Sequence, residues 1–349
     1  MNEQTLMATA AALTADGKGL LAMDESNPTA DKRLAALGIA PTPEMRRAYR
    51  DMIVTAPGLA ESIGGAILYD ETIRSRTFAD VPFAQALQEA GIVPGIKVDT
   101  GARPLALHDG ELVTEGLDGL RERLADYSRM GARFAKWRAV ITIDDATNAP
   151  SRGCLEANAQ ALARYAALCQ EAGIVPIVEP EVLMDGTHTL ARCAEVTGRA
   201  LNVVFDALRM QRVLLEGMIL KPNMVVPGLR CPTQDSVDDV ADATVRTLRR
   251  SVPAAVGAVA FLSGGQPAPD ASARLDAMHV RHGLALPWPL AFSFARAIQD
   301  PAMKAWAGKP ENVVAAQQAL VERARLNRLA RRGEYSAALE AAKRPWKPA

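Results

Sequence analysis

Eight short apolar segments, each running into polar or charged residues, recur along the chain and restrict what it can fold into. They are GLLAMD (19–24), GAILYD (65–70), IVPGIKVD (92–99), ARFAKWRAV (132–140), IVPIVEPE (174–181), GMILKP (217–222), AVAFLSGG (258–265) and PLAFSF (289–294). Each reads as a strand, and most are separated by roughly 30–45 residues, enough for a crossover helix. The intervening stretches have helical spacing. In 155–172, Leu155, Ala159, Leu162, Ala166 and Cys169 step by four and three, with Glu156, Gln160 and Arg164 opposite. In 235–250, acidic residues open the helix and Arg246, Arg249 and Arg250 close it, as the macrodipole prefers. A last helix over about 311–332 ends at Gly333, a suitable cap. Eight such units in one α/β chain predict a single TIM (β/α)8 barrel with extra N- and C-terminal helices. A doubly wound open sheet is the alternative, but no GxGxxG follows the first strand. Residues 1–335 are expected to form the barrel domain, and 336–349 a short mobile tail.

Composition removes several function classes. Formal net charge is zero, so no global basic field is available to hold nucleic acid. No run reaches ~18 apolar residues, so no membrane span is expected. The N-terminus carries neither a basic n-region nor a long apolar core, which argues against a signal peptide. The four cysteines form no CxxC pair and are expected to be reduced thiols, and the four histidines offer no zinc cluster. A cytoplasmic enzyme or binding protein needing no metal or other cofactor is the expectation.

Side chains alternate faces along a strand. Lys136 and Arg138 therefore share one face, as do Lys97 and Asp99, and Glu179 and Glu181. Asp24 and Lys221 end their own segments. Asp24, Lys97, Lys136, Glu179 and Lys221 thus fall on or near the C-terminal strand ends of five units, the catalytic face of a TIM barrel. So many charges converging on one mouth are costly unless they pair or serve chemistry. A lysine acting as nucleophile must lose its proton, which costs an ordinary lysine about 4 kcal/mol near neutral pH. A second ammonium ~4 Å away supplies about that much at an effective dielectric of 20. Lys136 is the expected neighbour that activates Lys221 in this way. The amine would attack a carbonyl to form a Schiff base, and Glu179 is the candidate acid for removing the hydroxyl as water.

Two stretches add anion recognition. FLSGGQ (261–266) places a Gly-Gly turn directly after a strand, where backbone N–H groups and Ser263 can cradle a phosphate. FSFARA (292–297) adds Ser293 and Arg296. Arg33 and Lys97 come from units one and three. Two separated cation clusters predict a substrate with a phosphate at each end.

These segments resemble the class I (Schiff-base) fructose-1,6-bisphosphate aldolases. The matching stretches are GKGLLAMDES, GIKVDTG, GLDGL, ARFAKWR, ARYA, GIVPIVEPE, LKPNMVVPG, FLSGGQ and FSFARA, in order over about residues 17–335. The resemblance implies that Lys221 forms the Schiff base with dihydroxyacetone phosphate. It implies that Glu179 is the acid/base, that Asp24 and Lys136 assist, and that Glu181 supports the charge network. Ser263, Gly264, Gly265, Ser293 and Arg296 would bind the phosphate of the ketone half. Arg33, Lys97 and Arg138, with Thr29, would serve the other phosphate. Sugar phosphates are the implied partners, and a homo-oligomer, a tetramer, the implied assembly. The chain departs from the family in carrying Thr29 where serine is usual, Pro28 where glycine or alanine is common, and no terminal tyrosine. Another Schiff-base sugar-phosphate lyase, or a non-catalytic phosphosugar-binding scaffold, are the rival expectations. The second cation cluster argues against the first, and the intact Lys221–Glu179 pair against the second.

Overall fold

In the computed structural model, which describes residues 2–341, the eight expected segments all form strands. In chain order the strands are β1 (Gly19–Ala22), β2 (Ile63–Leu68), β3 (Val93–Lys97), β4 (Gly101–Pro104), β5 (Leu112–Glu115), β6 (Phe134–Ile141), β7 (Val175–Val182), β8 (Ile219–Leu220), β9 (Ala258–Phe261) and β10 (Leu290–Phe294). Eight of them close into a barrel in the order β1-β10-β9-β8-β7-β6-β3-β2. Every barrel pairing is parallel. The other two, β4 and β5, form an antiparallel hairpin inserted after β3. Sequence periodicity did not single out this hairpin, because its strands are only four residues long and lie outside the barrel's repeat.

Both ends carry extra helices, as expected. The N-terminal helix Glu3–Leu13 closes the bottom of the barrel. Its Leu6, Ala10 and Leu13 join the interior cluster of Leu20, Ala22, Ile67, Phe134, Val175, Ile177 and Ile219. This layer depends on a missing side chain at Gly95, where a Cβ would lie 2.2 Å from the Phe134 ring. Glycine leaves the space that the aromatic ring fills. The periodic segments become the helices Arg152–Glu171, Val237–Ser251 and Val313–Ala330. Ser236 caps the second, its side chain accepting from Asp239 N–H. After the third, Gly333 takes a left-handed φ of 69°, which a glycine adopts freely.

Beyond that turn, Ala337–Ala341 form a short helix. Glu340 accepts two hydrogen bonds from the buried Arg323, at 2.6 and 2.8 Å, and one from Tyr335 Oη at 2.7 Å. Residues 342–349 of the expected tail lie outside the described residues. All four cysteines are unpaired and buried.

Candidate active site

The barrel register sets the depth of each charged side chain. Lys97, the last residue of β3, pairs with Lys136, and Arg138 pairs with Glu179. Lys136 and Glu179, expected on or near the C-terminal ends of their strands, lie inside them. They are the third and fifth residues of eight-residue strands. They still reach the mouth because β6 and β7 run on past the level at which β3 stops. Lys221 follows β8 directly, and its N–H donates to Val178 O at 2.8 Å. Asp24 lies two residues beyond β1.

Four of these groups form one buried chain of charge. Lys136 Nζ lies 2.7 Å from Asp24 Oδ2 and 3.3 Å from Glu179 Oε2, and Lys221 Nζ lies 3.1 Å from Glu179 Oε1. The side chains of Lys136, Lys221 and Glu179 are each 4% exposed. Glu179 Oε2 makes no hydrogen bond within the described residues, so its contact with Lys136 is an ion pair with an acceptor to spare. This corrects the expectation of two lysines repelling each other directly. A carboxylate lies between them, and Lys136 divides its charge between two acids.

The electrostatics follow from burial and pairing. Burial alone would raise the Asp24 carboxyl, but Lys136, with Lys221 and Lys97 behind it, outweighs that and brings it down to about 2. Burial would likewise lower the Lys136 ammonium, yet Asp24, Glu179 and Asp99 raise it well above the lysine range. Lys136 is thus a fixed cation, unsuited to accepting a proton near neutral pH. A depressed carboxyl favours the folded state above its ordinary value of 3.8, and that contribution fades as pH falls toward about 2. Asparagine at position 24 binds no proton. The stability gap between the wild type and Asp24→Asn should therefore close by about 2 kcal/mol between pH 4 and pH 2, measured by urea unfolding. A gap that stays constant through this window would show that the pair does not stabilise the fold.

On one side of the mouth, Gly264 and Gly265 adopt consecutive left-handed φ values of 58° and 99° after β9. Successive N–H groups in such a turn can converge on an anion. Gln266 N–H donates back to Ser263 O at 2.9 Å and closes the turn. A Cβ on Gly265 would stand 3.1 Å from an Arg296 guanidinium nitrogen, which places Arg296 against the turn. Arg296 also opens the helix Arg296–Trp306, whose N-terminus has no side-chain cap. Ser293 Oγ, in β10, is buried without a hydrogen-bond partner among the described residues.

The other cation cluster is differently arranged. Arg33 pairs with Glu25 and, at 2.9 Å, with Asp300. Lys97 Nζ lies 2.6 Å from Asp99 Oδ1, and Arg138 Nε pairs with Glu181. Thr29 is exposed near the start of the helix Asn27–Ala35, its hydroxyl 3.0 Å from that of Ser26. Glu25 and Asp300 were not singled out in the sequence, and Asp99 was placed only on the same strand face as Lys97. The available signal was a buried acid beside each candidate cation. Asp99 stands two residues after Lys97, and Glu25 directly follows Asp24. Glu25 also meets Arg50 at 2.8 Å, and Arg50 and Arg33 hold its carboxyl down against the effect of burial.

The profile of the family described as fructose-bisphosphate aldolase class-I matches residues 5–346. The chain belongs to the class I fructose-bisphosphate aldolase family. It is a carbon–carbon lyase of that family, with sugar phosphates as ligands. It is 53% identical over 336 residues to a probable fructose-bisphosphate aldolase class 1 of Xanthomonas campestris, covering 96% of this chain and 99% of that one. It is 49% identical to the cytoplasmic isozyme 2 of fructose-bisphosphate aldolase from Pisum sativum, covering 95% and 92% of the two chains. A solved structure of the Plasmodium falciparum fructose-bisphosphate aldolase, in complex with TRAP and a small-molecule inhibitor, superposes with a TM-score of 0.94. That protein is 46% identical, with 96% of each chain covered. Among the described residues, no helix is long and apolar enough to cross a membrane.

Proposed function

We propose that this lyase reversibly cleaves fructose 1,6-bisphosphate to dihydroxyacetone phosphate and glyceraldehyde 3-phosphate through a Schiff base on Lys221, as a step of glycolysis and gluconeogenesis. The observation that carries this reading is the placement of Glu179 between Lys221 at 3.1 Å and Lys136 at 3.3 Å in a buried site. Glu179 accepts a proton from the Lys221 ammonium, and the neutral amine attacks the C2 carbonyl. Glu179 then returns a proton to the carbinolamine hydroxyl, which leaves as water. The protonated imine draws the electrons of the C3–C4 bond toward nitrogen as a carboxylate, Glu179, takes the C4 hydroxyl proton. The aldehyde departs and leaves an enamine, which is protonated at C3 and hydrolysed. Lys136 stays charged throughout and stabilises developing negative charge, with Asp24 holding it in place. Glu181 orients Arg138.

Ser263, Gly264, Gly265, Ser293 and Arg296 bind the phosphate of the ketone half. Thr29, Arg33, Lys97 and Arg138 serve the far phosphate. Residues 1–335 form the catalytic unit, and 336–349 the tail. The reading extends to a homo-tetramer in the cytoplasm, in keeping with relatives from Pisum sativum and Cicer arietinum named as cytoplasmic isozymes. Borohydride reduction in the presence of dihydroxyacetone phosphate tests the chemistry directly. Mass spectrometry should find one adduct per chain, on the peptide containing Lys221. No adduct, or an adduct on Lys136, would overturn the assignment.

A further inference from the structure

The two ends of the site differ in how their cations are held. Among the described residues, Arg296 makes no ion pair, and Ser293 Oγ has no hydrogen-bond partner. The ketone side therefore offers unengaged groups to a phosphate. At the far side each cation already has a carboxylate, and the pair Lys97–Asp99 is the most deeply set. The Asp99 side chain is 3% exposed and that of Lys97 15%. Asp99 Oδ1 accepts from Gly101 N–H and Oδ2 from Arg138 N–H, both at 3.2 Å. The start of β4 and the middle of β6 thus hold this carboxylate fixed. Lys97 Nζ reaches it at 2.6 Å and also donates to the Asp99 backbone O at 2.8 Å. Of the groups bound to Asp99 among the described residues, only the Lys97 ammonium sits on a side chain that can swing away.

We propose that Asp99 is a positioning residue that holds Lys97 back in the empty site and thereby sets how strongly the far phosphate is bound. This rests on the reading of Lys97 as a contact to that phosphate. An arriving phosphate dianion competes with Asp99 for the ammonium. Two negative charges outbid one at equal distance, so the exchange goes forward. The net gain is the difference between the two pairings rather than the whole of the second. Binding that is equally tight in the ground state and the transition state lowers KM without raising kcat. A competing carboxylate limits this excess and lets the product that carries the far phosphate leave.

The test is Asp99→Asn, with fructose 1,6-bisphosphate compared against fructose 1-phosphate, which carries only the ketone-side phosphate. Asparagine removes the charge and keeps an acceptor for one of the two backbone N–H groups. KM for the bisphosphate should fall about three- to tenfold, with KM for the monophosphate unchanged, and the effect should vanish in a Lys97→Met background. Asp99→Ser, whose hydroxyl accepts from one of the two N–H groups, gives the same readout if the asparagine variant does not fold. A rise in KM for both substrates would make Asp99 structural, and a fall that persists without Lys97 would show it acting elsewhere. Either result overturns the proposal. If Lys97→Met weakens the bisphosphate selectively while Asp99→Asn does nothing, the positioning role alone is lost. If Lys97→Met leaves the ratio of the two KM values unchanged, the phosphate reading of Lys97 falls and the proposal with it.

Discussion

Lys221→Arg will abolish cleavage, lowering kcat by at least about 10⁴-fold, or ~5.5 kcal/mol in the barrier. Arginine retains a positive charge opposite Glu179, which Lys221 now meets at 3.1 Å, so the buried carboxylate keeps a partner and the fold should survive. A guanidinium does not lose its proton in a protein and cannot form an imine. Trapping with borohydride should disappear together with turnover, while the thermal melt stays cooperative. Substantial cleavage by a folded variant would remove Lys221 from the chemistry. Lys221→Met should be just as inactive but less stable, because among the described residues it leaves Glu179 with Lys136 as its one remaining ion-pair partner.

Glu179→Gln is expected to have the next largest effect, a loss of about 10²–10⁴-fold in turnover, the range for removing a general acid–base. Glutamine has the shape of glutamate but neither takes the proton from Lys221 nor returns one to the leaving hydroxyl. It also removes the carboxylate between the two lysines, leaving Asp24, 2.7 Å from Lys136, as that ammonium's remaining partner. The rate of adduct formation with dihydroxyacetone phosphate should fall in step with cleavage. Normal trapping with slow cleavage would confine Glu179 to breaking the carbon–carbon bond. Undiminished rates in both assays would mean that another group handles the proton.

These two residues were visible in the sequence because each strand announces itself locally. A run such as VPIVEPE or GMILKP carries its apolar pattern, its end and its charged residue within a few positions. The barrel was legible for the same reason. Eight such runs at regular separation leave few other ways to bury parallel strands on both faces. The Gly-Gly turn after β9 was legible because backbone conformation is itself local, and both glycines do take left-handed φ values.

What the sequence determined by itself was the architecture and the chemical kinds of group at the mouth. Only the tertiary structure decided which charge answers which. Glu179 meets Lys221 and Lys136 from different strands, and Arg33 meets Asp300, which lies 267 residues further along the chain. Coulomb energies depend on distances of a few ångströms across the barrel, and those distances are set by strand register and by how far each strand extends. A one-residue slip of β7 would turn Glu179 out of the barrel. Composition and spacing leave such a shift unseen, whereas packing inside the barrel forbids it, because Val175 and Ile177, which β7 contributes to the interior layer, would turn outward with it.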